Sequence, residues 1–133
     1  MLKVGDPLPA IERGPIGRTD IARFAAGVND FNPIHLDEEF AKGVGFPSVI
    51  AHGPLSLAYL VQLLATTFGV TNVRGVSAQF RAPVLPGDVL RVEGEVTGID
   101  DGGGAPVATC AVRVLKGETV VVQGSGKAVM AGA

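Results

Sequence analysis

The chain has two histidines, His35 and His52, and an acid, Asp30, stands five positions before the first of them across Asn32-Pro33. A carboxylate and an imidazole that face one small substrate can share the proton transfers of general acid–base catalysis. A regular helix would align positions 30 and 35 poorly. Pro33 biases Asn32 away from helix, so the segment reads as a broken turn on which both side chains can point into one cleft. The same residues also suit a turn in which Asp30 and His35 are only hydrogen-bonding partners. His52 is likewise readable as a structural hydrogen-bonder at a helix start or as part of a substrate site. Asp30, His35 and His52 together could ligate a metal. Their spacing fits no zinc pattern, and the segment is read as metal-free.

Gly53 and Pro54 follow His52 and open the longest helical segment, which is expected to run to about Phe68 and stop at Gly69. Backbone N–H groups at a helix start are free to bond an anion. Gly53 therefore offers an N–H to an oxygen that gains negative charge during reaction, and glycine permits close approach. Leu55, Leu57, Leu60, Val61, Leu63 and Leu64 make this helix apolar almost all round, so it is expected to be buried on most sides. Tyr59, Gln62 and Thr66 share one sector of it, with Ser56 at the edge, and an acyl pocket is expected beside Tyr59 and Gln62.

Other elements must hold these residues. Residues 20 to 28 read as a short helix capped by Thr19, with Ile21, Phe24, Ala25 and Val28 on one face. A second helical piece starts near Asp37 and carries Phe40, with Asp37 and Glu38 suited to its N-terminus. The second half alternates with period two. Residues 73 to 82, 89 to 99, 106 to 115 and 118 to 130 read as antiparallel strands, and 8 to 16 supply a fifth. Their covered face is rich in small residues: Gly94, Gly98, Gly124, Gly126, Ala78, Ala108 and Ala128. Small side chains admit something bulky, and the Leu-rich helix is the candidate. The fold class is thus α+β: a single domain over residues 1–133, a curved antiparallel sheet wrapped around a buried central helix, the hot-dog architecture.

Composition agrees. Hydrophobic residues are 47% and charged residues 18%, enough apolar material for a core and too little charge for disorder. A formal net charge of −2 with no basic patch argues against nucleic acid as partner. One cysteine, Cys110, excludes an internal disulfide and reads as core packing. No signal-peptide pattern or membrane-length apolar run is present, and a cytoplasmic location is expected.

Asp30-Phe31-Asn32-Pro33-Ile34-His35-Leu36-Asp37, then Phe40-Ala41 and Ile50-Ala51-His52-Gly53, resembles the hydratase motif of the MaoC-like family, the (R)-specific enoyl-CoA hydratases and related dehydratases. Phe80-Arg81-Ala82-Pro83-Val84-Leu85-Pro86-Gly87-Asp88 resembles that family's strand-and-turn segment. The resemblance covers residues 5 to 100 in order. It implies a hot-dog domain that dimerises through its sheets and adds water to a trans-2-enoyl thioester to give the (3R)-hydroxyacyl product. By motif position, Asp30 and His35 are the catalytic pair and Gly53 is the oxyanion donor, with Asn32, His52, Ser56 and Tyr59 beside the substrate. No metal or redox cofactor is implied. Where some members carry a serine within the central helix, this chain has Ala58, and Ser56 stands earlier.

Two functions fit this motif. One is a homodimeric (R)-specific enoyl-CoA hydratase, running in either direction. The other is the catalytic subunit of a (3R)-hydroxyacyl-ACP dehydratase of fatty-acid elongation, in a heterodimer with another hot-dog subunit. A hot-dog thioesterase and a non-catalytic acyl-thioester-binding subunit fit less well, since Asp30 and His35 are both present. The sequence does not place the CoA phosphates; Arg81 and Lys127 are exposed-side cations that could contact them.

Overall fold

A computed structural model describes residues 1–130; the last three residues of the expected domain lie outside the described residues. Strands β1 (Ile11–Arg13), β2 (Val73–Phe80), β3 (Leu90–Asp100), β4 (Val107–Lys116) and β5 (Thr119–Val129) form one antiparallel sheet in the order β1-β3-β4-β5-β2. Helices α1 (Arg18–Val28), α2 (Pro33–Leu36), α3 (Glu38–Gly43) and α4 (Gly53–Phe68) precede β2. A short 3-10 turn over Val70–Asn72 links α4 to β2. Among the described residues, no helix is long and apolar enough to cross a membrane.

Alternation along the strands builds the covered face. Leu90, Val92 and Val96 of β3, Ala108, Cys110, Val112 and Val114 of β4, and Val122 and Ala128 of β5 are all buried. Helix α4 lies across this face and packs against β2, β3, β4 and β5. Gly126 is where the helix comes closest: a Cβ there would overlap Leu64 Cδ1. Among the described residues the register shifts in three places, at Val73/Gly75 between β2 and β5, at Val96/Gly98 between β3 and β4, and at Val114/Leu115 between β4 and β5. A bulge between Val96 and Gly98 shifts the β3–β4 register, so Ile99 and not Gly98 packs on the core. A Cβ at Gly98 would meet nothing within 4 Å. The expectation that Gly98 makes room for the helix is therefore corrected.

The central helix also differs from expectation. Its buried residues are Ser56, Leu60, Leu63 and Leu64, while Pro54, Ala58, Val61 and Gln62 are exposed. One face is buried in the single chain, not most sides. Its composition is apolar beyond what its own sheet covers, so hydropathy alone overstated the burial.

The N-terminal elements deviate in two places. Helix α1 starts before the expected cap. Gly17 is its N-cap residue, and the Asp20 carboxylate reaches back to accept from the Gly17 N–H at 2.7 Å. Thr19 therefore lies inside the first turn. Ile21 and Ala25 are buried as expected, but Val28 is 49% exposed. Helix α3 begins where expected, with Asp37 Oδ1 accepting from the Phe40 N–H at 3.1 Å. Glu38 pairs with Arg18 and, at 3.6 Å, with Lys42, which ties α3 to α1. The Arg18 guanidinium beside it holds the Glu38 carboxyl below its usual range.

Cys110 is fully buried on β4, and burial pushes its thiol up from the ordinary cysteine value. A thiolate is the reactive form. The folded protein should therefore leave this thiol untouched by an aromatic disulfide reagent at pH about 8, just below the unperturbed thiol range. Reaction should become stoichiometric on adding denaturant, which absorbance follows directly. Rapid reaction of the native protein would contradict the burial described.

Candidate active site

The Asp30–His35 turn is built by successive caps. Asn29 ends α1 in the left-handed conformation at φ 56°, and the Asp30 N–H then bonds the Ala25 carbonyl at 2.9 Å. Asp30 Oδ1 accepts from the Asn32 N–H at 3.2 Å, and Asn32 Oδ1 accepts from the Ile34 N–H at 3.2 Å. Asn32 is thus the N-cap of α2, with Pro33 in its first turn. This single helical turn was not expected from the sequence, where Asn29 to Pro33 read only as a break. Its effect is to carry His35 inward: His35 is 8% exposed, whereas the Asp30 side chain is 48% exposed.

The connector before α4 is stitched to both sides. The Ile50 N–H bonds the Ile34 carbonyl at 3.1 Å, and the Ala51 N–H bonds the Val84 carbonyl at 2.8 Å. Val84 belongs to the β2–β3 turn, which Asp88 closes by accepting from the Leu85 N–H at 2.8 Å and from Lys116 at 3.2 Å. The strand-and-turn segment thus holds the connector, and the connector holds His35.

His35 Nδ1 donates to the Ile50 carbonyl at 2.7 Å. A carbonyl only accepts, so the neutral ring carries its proton on Nδ1 and leaves a lone pair on Nε2. That nitrogen lies 4.0 Å from Asp30 Oδ2. The gap is too long for a direct bond. One water about 2.8 Å from each atom would fit it, donating one hydrogen to the carboxylate and one to the imidazole.

Helix α4 starts at Gly53, with His52 as N-cap. The Gly53 N–H has no intrahelical acceptor, and Gly53 lines a cavity of about 310 Å³. Ile50, His52, Ser56, Phe80 and Val121 line it too. Asp30 and His35 fall just outside that lining, but the His35 ring bonds Ile50 and stacks on His52, both of which are in it. The structure therefore brings Asp30, His35, His52, Gly53 and Ser56 to one place.

Tyr59 and Gln62 lie elsewhere. Gln62 accepts from Arg13 Nε at 3.0 Å, and Tyr59 packs against the core outside the cavity lining. Burial, and then the nearby Asp20, push the Tyr59 hydroxyl up from its ordinary value. The cavity runs along the Ser56 side of α4 instead, towards β2 and β5. Phe80 was missed as a site residue. It shares the alternation of Ala78 along β2, yet it is 53% exposed, because it ends an edge strand over the helix start. Its ring would lie 3.0 Å from a Cβ on Gly53. Arg81 also reaches the cavity lining, whereas Lys127 lines a separate groove with Arg74.

Asp30, His35 and His52 can bring ligand atoms within 4.8 Å of one another. The two imidazoles are stacked, with centroids 3.6 Å apart and planes at 21°. Lone pairs lie in the ring plane, so nearly parallel stacked rings aim them side by side and not at one ion. This geometry does not fit a shared metal.

A model of the MaoC like domain matches residues 3–118. The chain belongs to the MaoC-like family. Within that family, the (R)-specific enoyl-CoA hydratase of Aeromonas caviae is 35% identical over 126 residues, covering 92% of this chain and 91% of the relative. The solved structure of the A. caviae (R)-hydratase superposes with a TM-score of 0.87 at 32% identity, covering 98% of each chain. The 3-hydroxybutyryl-CoA dehydratase of Methylorubrum extorquens is 37% identical over 127 residues, covering 90% of this chain and 80% of that one. A chain of the ChsH1-ChsH2 complex of Mycobacterium tuberculosis shares the fold, with a TM-score of 0.87 at 20% identity, covering 98% of this chain and 100% of that chain.

Proposed function

We propose that this MaoC-like chain is a hydro-lyase that adds water to a trans-2-enoyl-CoA to give the (3R)-3-hydroxyacyl-CoA, and runs the reverse dehydration. The observation that carries this reading is the 4.0 Å gap between Asp30 Oδ2 and His35 Nε2, with the His35 ring stacked on His52, the residue that precedes Gly53 at the start of α4. Both groups flank one water from the same side. In hydration, an O–H bond of that water breaks as its oxygen bonds C3, and the pair takes the proton. The thioester oxygen gains negative charge, which the Gly53 N–H stabilises. The pair then returns a proton to C2 and is unchanged after one turnover. No electron is gained or lost, so the reaction calls for no redox cofactor, and we assign none. The names of the relatives support the enoyl-CoA substrate and the (R) outcome.

We assign the acyl chain to the Ser56–Phe80 cavity and the CoA phosphates to the Arg81 side of its mouth. Tyr59 we assign to packing, and Asn32 to capping. The open edge of β2 and the uncovered face of α4 support a dimer of this chain, since an unpaired strand edge is a template for pairing.

Incubating the purified chain alone with crotonyl-CoA tests the reading. Loss of the enoyl absorbance with formation of (3R)-3-hydroxybutyryl-CoA is expected. Release of free CoA without hydration would replace hydratase by thioesterase. Activity only after adding a second hot-dog subunit would move the chain to the dehydratase-subunit reading.

A further inference from the structure

We propose that His52 is a positioning residue that fixes both members of the Asp30–His35 pair without itself touching substrate, an inference that rests on the hydration reading above. His52 is 1% exposed, so at the cavity wall it offers almost no surface to a ligand. Its contacts run instead to the catalytic pair. Nε2 lies 3.0 Å from the backbone carbonyl oxygen of Asp30. That oxygen can only accept, so His52 carries its proton on Nε2.

The Asp30 backbone is thereby held at both ends: its N–H by the Ala25 carbonyl at 2.9 Å and its carbonyl by His52. The His35 ring is held from the same place, lying on the His52 ring at a centroid distance of 3.6 Å. Phe24 packs on His52 in turn, with centroids 5.1 Å apart, and steadies it. The other His52 nitrogen, Nδ1, is buried and has no partner among the described residues. A proton there would be a buried donor without an acceptor, which again favours Nε2. The two histidines are thus fixed as opposite tautomers, Nδ1–H in His35 and Nε2–H in His52. One imidazole works beside the carboxylate, and the other sets the distance between them. A misplacement on the order of 1 Å can cost about 10²-fold in rate.

Two measurements test this. Nitrogen-15 labelling of the full chain gives two imidazole spin systems, since there are two histidines. At about pH 8, above the ordinary imidazole range, long-range proton–nitrogen spectra should show one ring of each tautomer. The signal lost in His52→Gln should be the Nε2–H ring. A His52 ring protonated on Nδ1 would overturn the proposal. The second measurement compares His52→Leu with His52→Gln, whose amide can still donate towards the Asp30 carbonyl. His52→Leu should lower kcat on crotonyl-CoA by about 10²-fold with KM within about threefold of the parent, and His52→Gln should recover about tenfold of that loss. A raised KM at unchanged kcat would make His52 a substrate-binding residue and overturn the proposal, as would a Gln variant no better than Leu. Should His52→Leu not fold, the spectra and the comparison of His52→Gln with the parent decide. A parent chain that fails to hydrate crotonyl-CoA defeats the hydration reading itself, while the spectra still report on the tautomers.

Discussion

Asp30→Asn and His35→Ala should each lower kcat/KM for crotonyl-CoA hydration by about 10²–10⁴, the range of a lost general acid or base. The amide introduced by Asp30→Asn keeps an oxygen for the Asn32 N–H but cannot take a proton from water. His35→Ala removes the Nε2 lone pair that faces Asp30 across 4.0 Å. Both groups face one 4.0 Å gap that a single water fits, so the double variant should lose little more than the worse single variant, because residues acting as a unit are not additive. Stability should separate the two. The Asp30 side chain is half-exposed, and its change should leave the melting temperature nearly unaltered. His35 is buried, and its removal leaves the Ile50 carbonyl without its donor, at a cost of about 1–3 kcal/mol. Thermal melts run beside steady-state kinetics check both statements. If both variants fold and hydrate at the parental rate, the pair is not catalytic.

Much of this site was legible in the sequence because the chemistry-bearing residues are few and clustered. Both histidines of the chain fall within residues 30 to 53, beside Asp30 and a helix start, and the family resemblance implied roles for them. The long-range ties were not legible. Nothing in residues 30 to 53 shows that His52 will reach back to the Asp30 carbonyl, or that the Val84 carbonyl will hold Ala51. The side of α4 that borders the cavity was missed for a related reason. A helical wheel groups Tyr59 with Gln62, but only the sheet's position decides which sector meets β2 and β5. The strand order was likewise invisible, and with it the fact that Phe80 ends an edge strand. Local surprises had local causes. Asp20 captured the Gly17 N–H and moved the start of α1, and the Val96–Gly98 bulge transferred core duty to Ile99.

Gly126 and Gly98 lie in the same sheet with opposite surroundings. Gly126→Ala should destabilise the fold by about 1–3 kcal/mol, the usual cost of overpacking a tight core, and Gly126→Val by more. The added Cβ would overlap Leu64 Cδ1, so the fully buried Leu64 side chain of α4 must shift to admit it. Gly98→Ala should behave oppositely. Nothing lies within 4 Å of its Cβ position. Replacing glycine at an unstrained position restricts the unfolded chain and stabilises by about 0.4–1 kcal/mol. Urea unfolding of the two alanine variants should therefore shift the midpoint in opposite directions at similar slope. Trimming the obstructing side chain extends the test. Leu64→Ala alone should cost about 2–5 kcal/mol, but in combination with Gly126→Ala the penalties should fall short of their sum, since the new methyl occupies part of the space Leu64 vacated. Strict additivity, or equal effects at positions 126 and 98, would mean that the helix does not rest on the sheet at Gly126. The cleft that α4 forms with β2 and β5 would then lose its structural basis, since Ser56 and Gly53 are carried on the same helix that Leu64 seats.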